Sequence, residues 1–213
     1  MAETILKHTA TTMAIMVAFS LVGTVFLAKT YLVTKAPIEA SQAAEKMKFF
    51  AQVLSPNEHD NNLVNDFVEM PAGGELNNRS ATKLHTARLA GVVTAVILEA
   101  TARNGYSGDI KLLIAVRQDG SIGGVRVIAH KETPGLGDYI DVAKDNWIKT
   151  FDNLSLNNRT SKQWQVKKDG GQFDYMAGAT ITPRAVVKAT HKALAYVEAN
   201  KALFFAPHIT KQQ

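Results

Sequence analysis

The first forty residues contain one long uncharged stretch between basic residues. Residues 9–28 carry no charged side chain, and twenty helical residues at 1.5 Å each span about 30 Å, the thickness of a bilayer core. The stretch exceeds the apolar core of an ordinary signal peptide, and no clean A-x-A cleavage site follows it. We therefore expect an uncleaved transmembrane helix over 9–33, preceded by a short tail of residues 1–8.

A second helix is predicted directly after this span. Residues 37–54 begin with Pro37, which suits a first helical turn, and end in a cluster of large apolar side chains. Turn-forming residues follow, and 71–83 are mostly small and polar, as in a surface loop. We expect a helical linker region over 34–84.

The pattern changes to an extended one at residue 89. Residues 89–101 are nearly all apolar and rich in β-branched side chains, which favours a strand buried on both faces. Residues 110–117 predict a strand, 118–121 a hairpin turn and 124–130 the partner strand.

Helical patterns follow the hairpin. We expect a helix over 139–151, a short strand over 163–166 and a final helix from 183 to about 202. Since the strands cluster before these helices, the fold class is α+β, with an antiparallel sheet flanked by helices in a domain over 85–213.

Composition narrows the chemistry. The 213 residues are 46% hydrophobic and 20% charged, which excludes a disordered chain and fits one domain with an appendage. There is no cysteine, which excludes disulfides, iron–sulfur clusters and a thiol nucleophile. The histidines show no metal-ligand spacing. Redox chemistry would therefore need an organic cofactor or a metal with histidine or methionine ligands. The net charge of +5 is scattered along the chain, so the sequence gives little support for nucleic-acid binding.

The first candidate motif, DYMAGATITP, occupies 174–183 and leads into the final helix. We expect Thr182 as the N-cap and Pro183 as the first helical residue. A helix N-terminus offers free N–H groups to a phosphate, and small residues let the backbone approach it. The small residues here are Ala177, Gly178 and Ala179. The alternative is an ordinary turn and cap without a ligand.

The second candidate motif, HKETPGLG, occupies 130–137 and follows a predicted strand. Pro134 restricts the backbone, whereas Gly135 and Gly137 free it again. Such a shaped loop could lie against a planar ligand, or it could be a connection that binds nothing.

Together the two motifs resemble a known family. Residues 174–180 match the flavinylation pattern D-x-x-[ST]-G-A-[TS] except at Ala177, where serine or threonine is usual. The sequences ITPRAVV and ETPGLG are similar to those of the G subunit of the Rnf (also called Rsx) electron-transport complex. The C subunit of the sodium-pumping NADH:quinone reductase shares this FMN-binding domain but is usually longer.

The resemblance implies one covalently bound FMN per chain, joined through its phosphate to Thr180 and installed by a separate flavin transferase. It implies an electron relay between other membrane subunits of an ion-translocating complex, with no catalysis by this chain alone. The residues that would line the flavin are Glu132, Thr133, Gly135, Leu136 and Gly137, with Ala177, Gly178, Ala179 and Thr182 beside the phosphate. For Glu132, a surface salt bridge is the alternative.

The resemblance also implies a bacterial inner-membrane protein with a cytoplasmic tail and a periplasmic domain. The charge count opposes this orientation, because four lysines follow the span within twenty residues and only Lys7 precedes it. Both orientations stay open at this point.

Further residues have two interpretations each. Lys131 and Arg184 would stabilise a negatively charged reduced flavin or simply be solvated. Tyr175 and Met176 would face the flavin or the core. Trp147 and Trp164 are expected in the core, with stacking on the flavin as the alternative. Three other functions remain open. They are a membrane-anchored protein that binds a phosphorylated ligand non-covalently, a structural subunit with an empty site, and the C subunit of a sodium-pumping NADH:quinone reductase.

Overall fold

A computed structural model describes residues 2–206, so residue 1 and residues 207–213 of the predicted tail and domain lie outside it. The chain divides into two compact units between Glu45 and Lys46. The described residues of the first unit, 2–45, are helical and belong to helix α1, Ala2–Val53. An 18-residue window of α1 has a mean hydropathy of 2.0 and is not buried, so the helix is long and apolar enough to cross a bilayer.

The separate helix predicted to start at Pro37 is wrong, because Pro37 lies inside α1. Proline removes one backbone hydrogen bond from a helix interior, but the helix formers on both sides continue the turn. The predicted helical linker over 34–84 is therefore helical only as far as Val53.

The second unit is built on a five-stranded antiparallel sheet in which sequential strands are neighbours. Strand β4 has the predicted bounds, and the predicted hairpin is confirmed, with β5 starting two residues early. The strands are β1 (Phe67–Met70), β2 (Thr82–Leu89), β3 (Val92–Ala102), β4 (Ile110–Arg117) and β5 (Ile122–Ala129).

The sheet begins earlier than the sequence pattern indicated. Strand β1 and the first residues of β2 precede residue 85, where the domain was predicted to start. The polar residues Lys83, His85 and Arg88 obscure the strand pattern of β2, which pairs with β3 from Leu89 to His85.

Both faces of the sheet are covered, as predicted for the strand over 89–101. That strand is β3 and begins only at Val92, because Leu89 is the last residue of β2. Val96 and Leu98 of β3 belong to a core shared with helix α2 (Ile181–Ala199), whereas Ala95 and Ile97 pack with the end of α1. The end of α1 approaches the sheet closely: a Cβ on Gly124 would lie 2.8 Å from the Cα of Val53. A side chain at this position would push α1 away.

The segment between β5 and α2 differs from the prediction. The helix expected over 139–151 is replaced by two 3₁₀ turns, Asp138–Ile140 and Asn146–Phe151. The Asp145 carboxylate accepts a hydrogen bond from the Trp147 N–H at 2.7 Å and so caps the N-terminus of the second 3₁₀ turn. The strand expected over 163–166 reduces to a single bridge between Val166 and Phe173. After α2, a short helix α3 spans Lys201–Phe204.

Candidate cofactor-binding site

Three segments meet at one edge of the sheet. Ala102 pairs with Ile110 and Lys111 pairs with Ala129, so the β3–β4 loop and the loop after β5 emerge side by side. The start of α2 joins them and completes a cavity of about 340 Å³. Its lining residues are Tyr106, Glu132, Thr133, Leu136, Gly137, Gly178, Ala179, Ile181 and Thr182. The structure thus brings both sequence motifs into one site.

Glu132 is the buried polar centre of this site. Its side chain accepts hydrogen bonds from the Ser107 N–H, at 3.0 Å, and from the Thr182 hydroxyl. Glu132 is only 4% exposed, and it forms no ion pair within residues 2–206. The alternative of a surface salt bridge is therefore wrong. The Glu132 carboxylate instead links its own loop by hydrogen bonds to the β3–β4 loop and to the start of α2.

Gly137 permits this close arrangement. A Cβ on Gly137 would lie 2.8 Å from Glu132 Oε2 and 2.9 Å from Thr182 Oγ1, too close for any side chain. Gly135 has a φ of 74°, and its N–H donates to the Asp138 carboxylate at 2.7 Å. The loop over 130–137 is therefore held in one shape by its own glycines and by Asp138.

The segment before Thr180 is fixed by two aromatic side chains. Trp147 Nε1 donates to the Asp174 carbonyl at 2.8 Å, and the Met176 N–H donates to the Tyr139 hydroxyl oxygen at 3.4 Å. The two rings meet edge to face at 5.5 Å. Burial raises the pKa of Tyr139 to about 12, so its phenol stays protonated at neutral pH.

A tight turn then leads to Thr180. The Ala179 N–H donates to the Met176 carbonyl at 3.0 Å, and Gly178 lies at a φ of 87°, a conformation that favours glycine. Ala177 is exposed on this turn. In the second motif, Glu132, Thr133, Leu136 and Gly137 line the cavity as predicted. Gly135 does not line the cavity and contributes only to the shape of its loop.

Thr180 stands immediately before α2 with its side chain uncommitted. It is half-buried, and within residues 2–206 its hydroxyl makes no capping hydrogen bond. Pro183 sits at the third helical position and has no N–H, which removes one donor that a cap would use. Both neighbours of Thr180 in the chain, Ala179 and Ile181, line the cavity.

The prediction that Thr182 caps the helix is wrong. The helix begins at Ile181, and the buried Thr182 hydroxyl donates to Glu132 instead of accepting from the backbone. The loop after β5 supplies a charged acceptor at hydrogen-bond distance, which the local sequence around Thr182 does not reveal.

Several other predicted residues lie elsewhere. Neither Lys131 nor Arg184 lines the cavity, and Arg184 pairs with both carboxylate oxygens of Asp169 at 2.5 Å. Tyr175 and Met176 are 38% and 39% exposed, so they are not core residues.

Trp147 and Trp164 are buried, as predicted. Tyr106 and Ser107 are site residues that the sequence does not predict, because residues 104–108 (NGYSG) have only the composition of a turn. The hairpin register was the signal that could have placed this turn beside the loop over 130–137.

Comparison with known proteins agrees with this geometry. The sequence profile of the FMN-binding domain family matches residues 105–195, a range that contains every residue lining the cavity. The chain is 46% identical over 189 residues to the G subunit of the ion-translocating oxidoreductase complex of Pseudomonas aeruginosa, covering 89% of this chain and 88% of that one. The chain belongs to the family of G subunits of ion-translocating oxidoreductase complexes.

Other members of this family give similar values. The identity is 42% to the Cereibacter sphaeroides protein, covering 89% and 84% of the two chains. It is 40% to the Pseudoalteromonas atlantica protein, covering 88% and 87%. Among solved structures, the crystal structure of Shewanella oneidensis NqrC aligns with a TM-score of 0.44 at 19% identity, covering 70% of this chain and 72% of that one.

Proposed function

We propose that this chain is an electron-carrying subunit of an ion-translocating oxidoreductase complex and holds one FMN bound covalently through its phosphate to Thr180. The observation that carries the proposal is the uncommitted Thr180 hydroxyl between two residues that line the cavity. Family membership and the match to the FMN-binding domain support it.

The residues around Thr180 suit a phosphodiester. The first N–H groups of α2 have no partner inside the helix, and the positive end of the helix dipole favours an anion there. Thr182 is a poor substitute attachment site, because its hydroxyl is buried and donates to Glu132. Thr180 is therefore the hydroxyl available to a separate flavin transferase.

The cavity suits a planar ring. Its volume of about 340 Å³ lies in the range of small-molecule sites. Tyr106, Leu136 and Ile181 are exposed at this cavity and offer apolar surface. When bound, FMN supplies reversible transfer of one or two electrons. Glu132 and Thr182 position the loops around the ring.

In-gel fluorescence after denaturation tests the covalent bond. The native protein and Thr180→Ser should fluoresce and Thr180→Ala should not. Thr182→Val should still fluoresce, at a reduced level, because it keeps the attachment oxygen and loses only the contact with Glu132 that shapes the cavity. Because Ala177 is exposed, Ala177→Ser should keep its fluorescence. Fluorescence retained by Thr180→Ala would refute the attachment site. Flavin that is lost from every variant on denaturation would favour non-covalent binding of a phosphorylated ligand.

The relay function has its own test. The sequence has no G-x-G-x-x-G motif after a strand and no cysteine for a cluster, so the chain should depend on other subunits for its electrons. Dithionite should bleach the flavin absorbance of the isolated chain in stopped flow, whereas NADH should not. Rapid bleaching by NADH alone would make the chain a self-sufficient dehydrogenase.

We further propose that α1 is a single-pass anchor in the bacterial inner membrane and that the second unit is periplasmic. The apolar window of α1 supports the membrane anchor. The family resemblance supports a periplasmic domain, although the lysines that follow the span favour a cytoplasmic one. Protease added to intact spheroplasts should cleave the domain. Protection until the membrane is broken would place the domain in the cytoplasm.

A further inference from the structure

A second cleft lies beside the cofactor cavity. Its volume is about 460 Å³. Helix α2 forms one wall with Arg184, Lys188 and Lys192, which recur every four residues and so extend along about 12 Å of one helix face. Asn77, Arg103 and Asn104 form the facing wall. The result is an elongated basic groove.

The floor of this groove is apolar. Ala102, Ile181, Ala185 and Ala189 line it, and three of the four are alanines, which leave room between the two walls. A groove with a narrow apolar floor and cationic walls suits a chain that combines apolar and acidic side chains.

The charge of the groove is only partly neutralised. Four of its lining residues are basic, and among the described residues none of those lining it is acidic. Arg184 pairs with Asp169, and Lys192 pairs with Glu75. Arg103 and Lys188 form no ion pair within residues 2–206. The Arg103 Nε donates to the Asn77 carbonyl at 2.8 Å, which holds this side chain in the wall.

The groove and the cofactor cavity are adjacent. Ile181 lines both, and it directly follows Thr180 in the chain. Anything seated in the groove therefore lies next to the site proposed for FMN, and a partner that exchanges electrons needs this proximity.

We propose that this basic groove docks an acidic polypeptide segment of the partner subunit that exchanges electrons with this chain. The inference rests on the proposed FMN function. A single phosphate would use only part of a groove about 12 Å long, and a flat bilayer surface would reach only the rim of a concave cleft. A polypeptide segment with carboxylates along its length uses the walls and the floor together, and complementary charge speeds its docking.

Charge reversal in the intact complex tests the proposal. We compare Arg103→Glu and Lys188→Glu with Lys162→Glu, a matched reversal at an exposed lysine outside the groove. The measurement is the rate of flavin reduction by NADH in the purified complex at low and high salt. The groove variants should be slower by about tenfold or more at low salt, with a flattened salt dependence, and Lys162→Glu should match the native complex.

In-gel flavin fluorescence separates this proposal from the FMN assignment, because the groove variants should keep their covalent flavin. Rates and salt dependence equal to those of Lys162→Glu would overturn the docking proposal. Two further probes are inorganic phosphate and short-chain phosphatidylglycerol, each tested by its effect on the thermal unfolding of the detergent-solubilised complex. If Lys188→Glu abolishes binding of either probe but leaves the electron-transfer rate unchanged, the groove is a phosphate or lipid site and the proposal fails.

Discussion

The Thr182 hydroxyl donates a hydrogen bond to the Glu132 carboxylate, although the two residues are 50 positions apart in the sequence. Both are buried, and the second carboxylate oxygen accepts the Ser107 N–H. This single side chain therefore joins the β3–β4 loop, the loop after β5 and the first turn of α2. The shape of the cofactor cavity depends on it.

Replacement of Thr182 by valine should destabilise the second unit. The change removes one donor and leaves a buried Glu132 oxygen unpaired, which costs about 1–3 kcal/mol. Urea unfolding of the detergent-solubilised chain, followed by tryptophan fluorescence, measures the loss. Ser80→Ala removes an exposed hydroxyl and should be close to neutral. Equal unfolding midpoints for Thr182→Val and the native chain would show that the Glu132–Thr182 bond is unimportant.

Substitution of Gly178 should act through the backbone alone. Its φ is 87°, and no described atom lies within 4 Å of where a Cβ would be, so the cost is conformational. Alanine should cost about 1–2 kcal/mol, and asparagine, which tolerates this region better, should cost less. Covalent flavin content and unfolding free energy should both fall in the order Gly, Asn, Ala. An alanine variant as stable and as flavinylated as the native chain would contradict this account.

The sequence predicted the parts of the fold and site that local patterns determine. Residues 110–117 are apolar except at Lys111 and Arg117 and form β4 with the predicted bounds, and the motif over 174–180 contains the turn that precedes α2. The features that the sequence did not predict depend on contacts between residues far apart in the chain. Strand β2 is polar in part and is organised by β3, the turn after Ile140 interrupts a helical pattern, and the Thr182 side chain finds its partner in a distant loop.

Trp147→Phe should weaken the loop that carries the attachment site. It removes the hydrogen bond from Nε1 to the Asp174 carbonyl, worth about 0.5–1.5 kcal/mol. Trp164→Phe is the matched control, because within the described residues the buried Trp164 Nε1 has no hydrogen-bond partner. Both variants lose the same ring volume, so Trp147→Phe should be less stable by the hydrogen-bond contribution and carry less covalent flavin. Equal losses in the two variants would rule out the role of this hydrogen bond.

The stability of the second unit should decrease in mild acid through His85. Burial beside Phe50 and Phe67 lowers the pKa of His85, and the hydrogen bond to the Leu63 carbonyl only partly opposes this effect. Below an unfolded-state pKa of about 6.5 the unfolded chain binds a proton that the folded chain resists, so stability is full above that pH and falls below it.

His85→Asn tests this pH dependence, because the asparagine amide keeps a donor for Leu63 but does not titrate. The free energy of unfolding, measured from about pH 7.5 to about pH 5, should fall less steeply in this variant than in the native chain. Burial also lowers the pKa of His191, so His191→Gln should remove a separate part of the decline. Parallel pH profiles for the native chain and His85→Asn would exclude His85 as the source.

The intact mass of the natively expressed chain tests the covalent assignment most directly. We expect a single species heavier than the polypeptide by one FMN less one water, with the added mass confined to the peptide that contains Thr180. The unmodified polypeptide mass, or an FMN-containing peptide without Thr180, would contradict it.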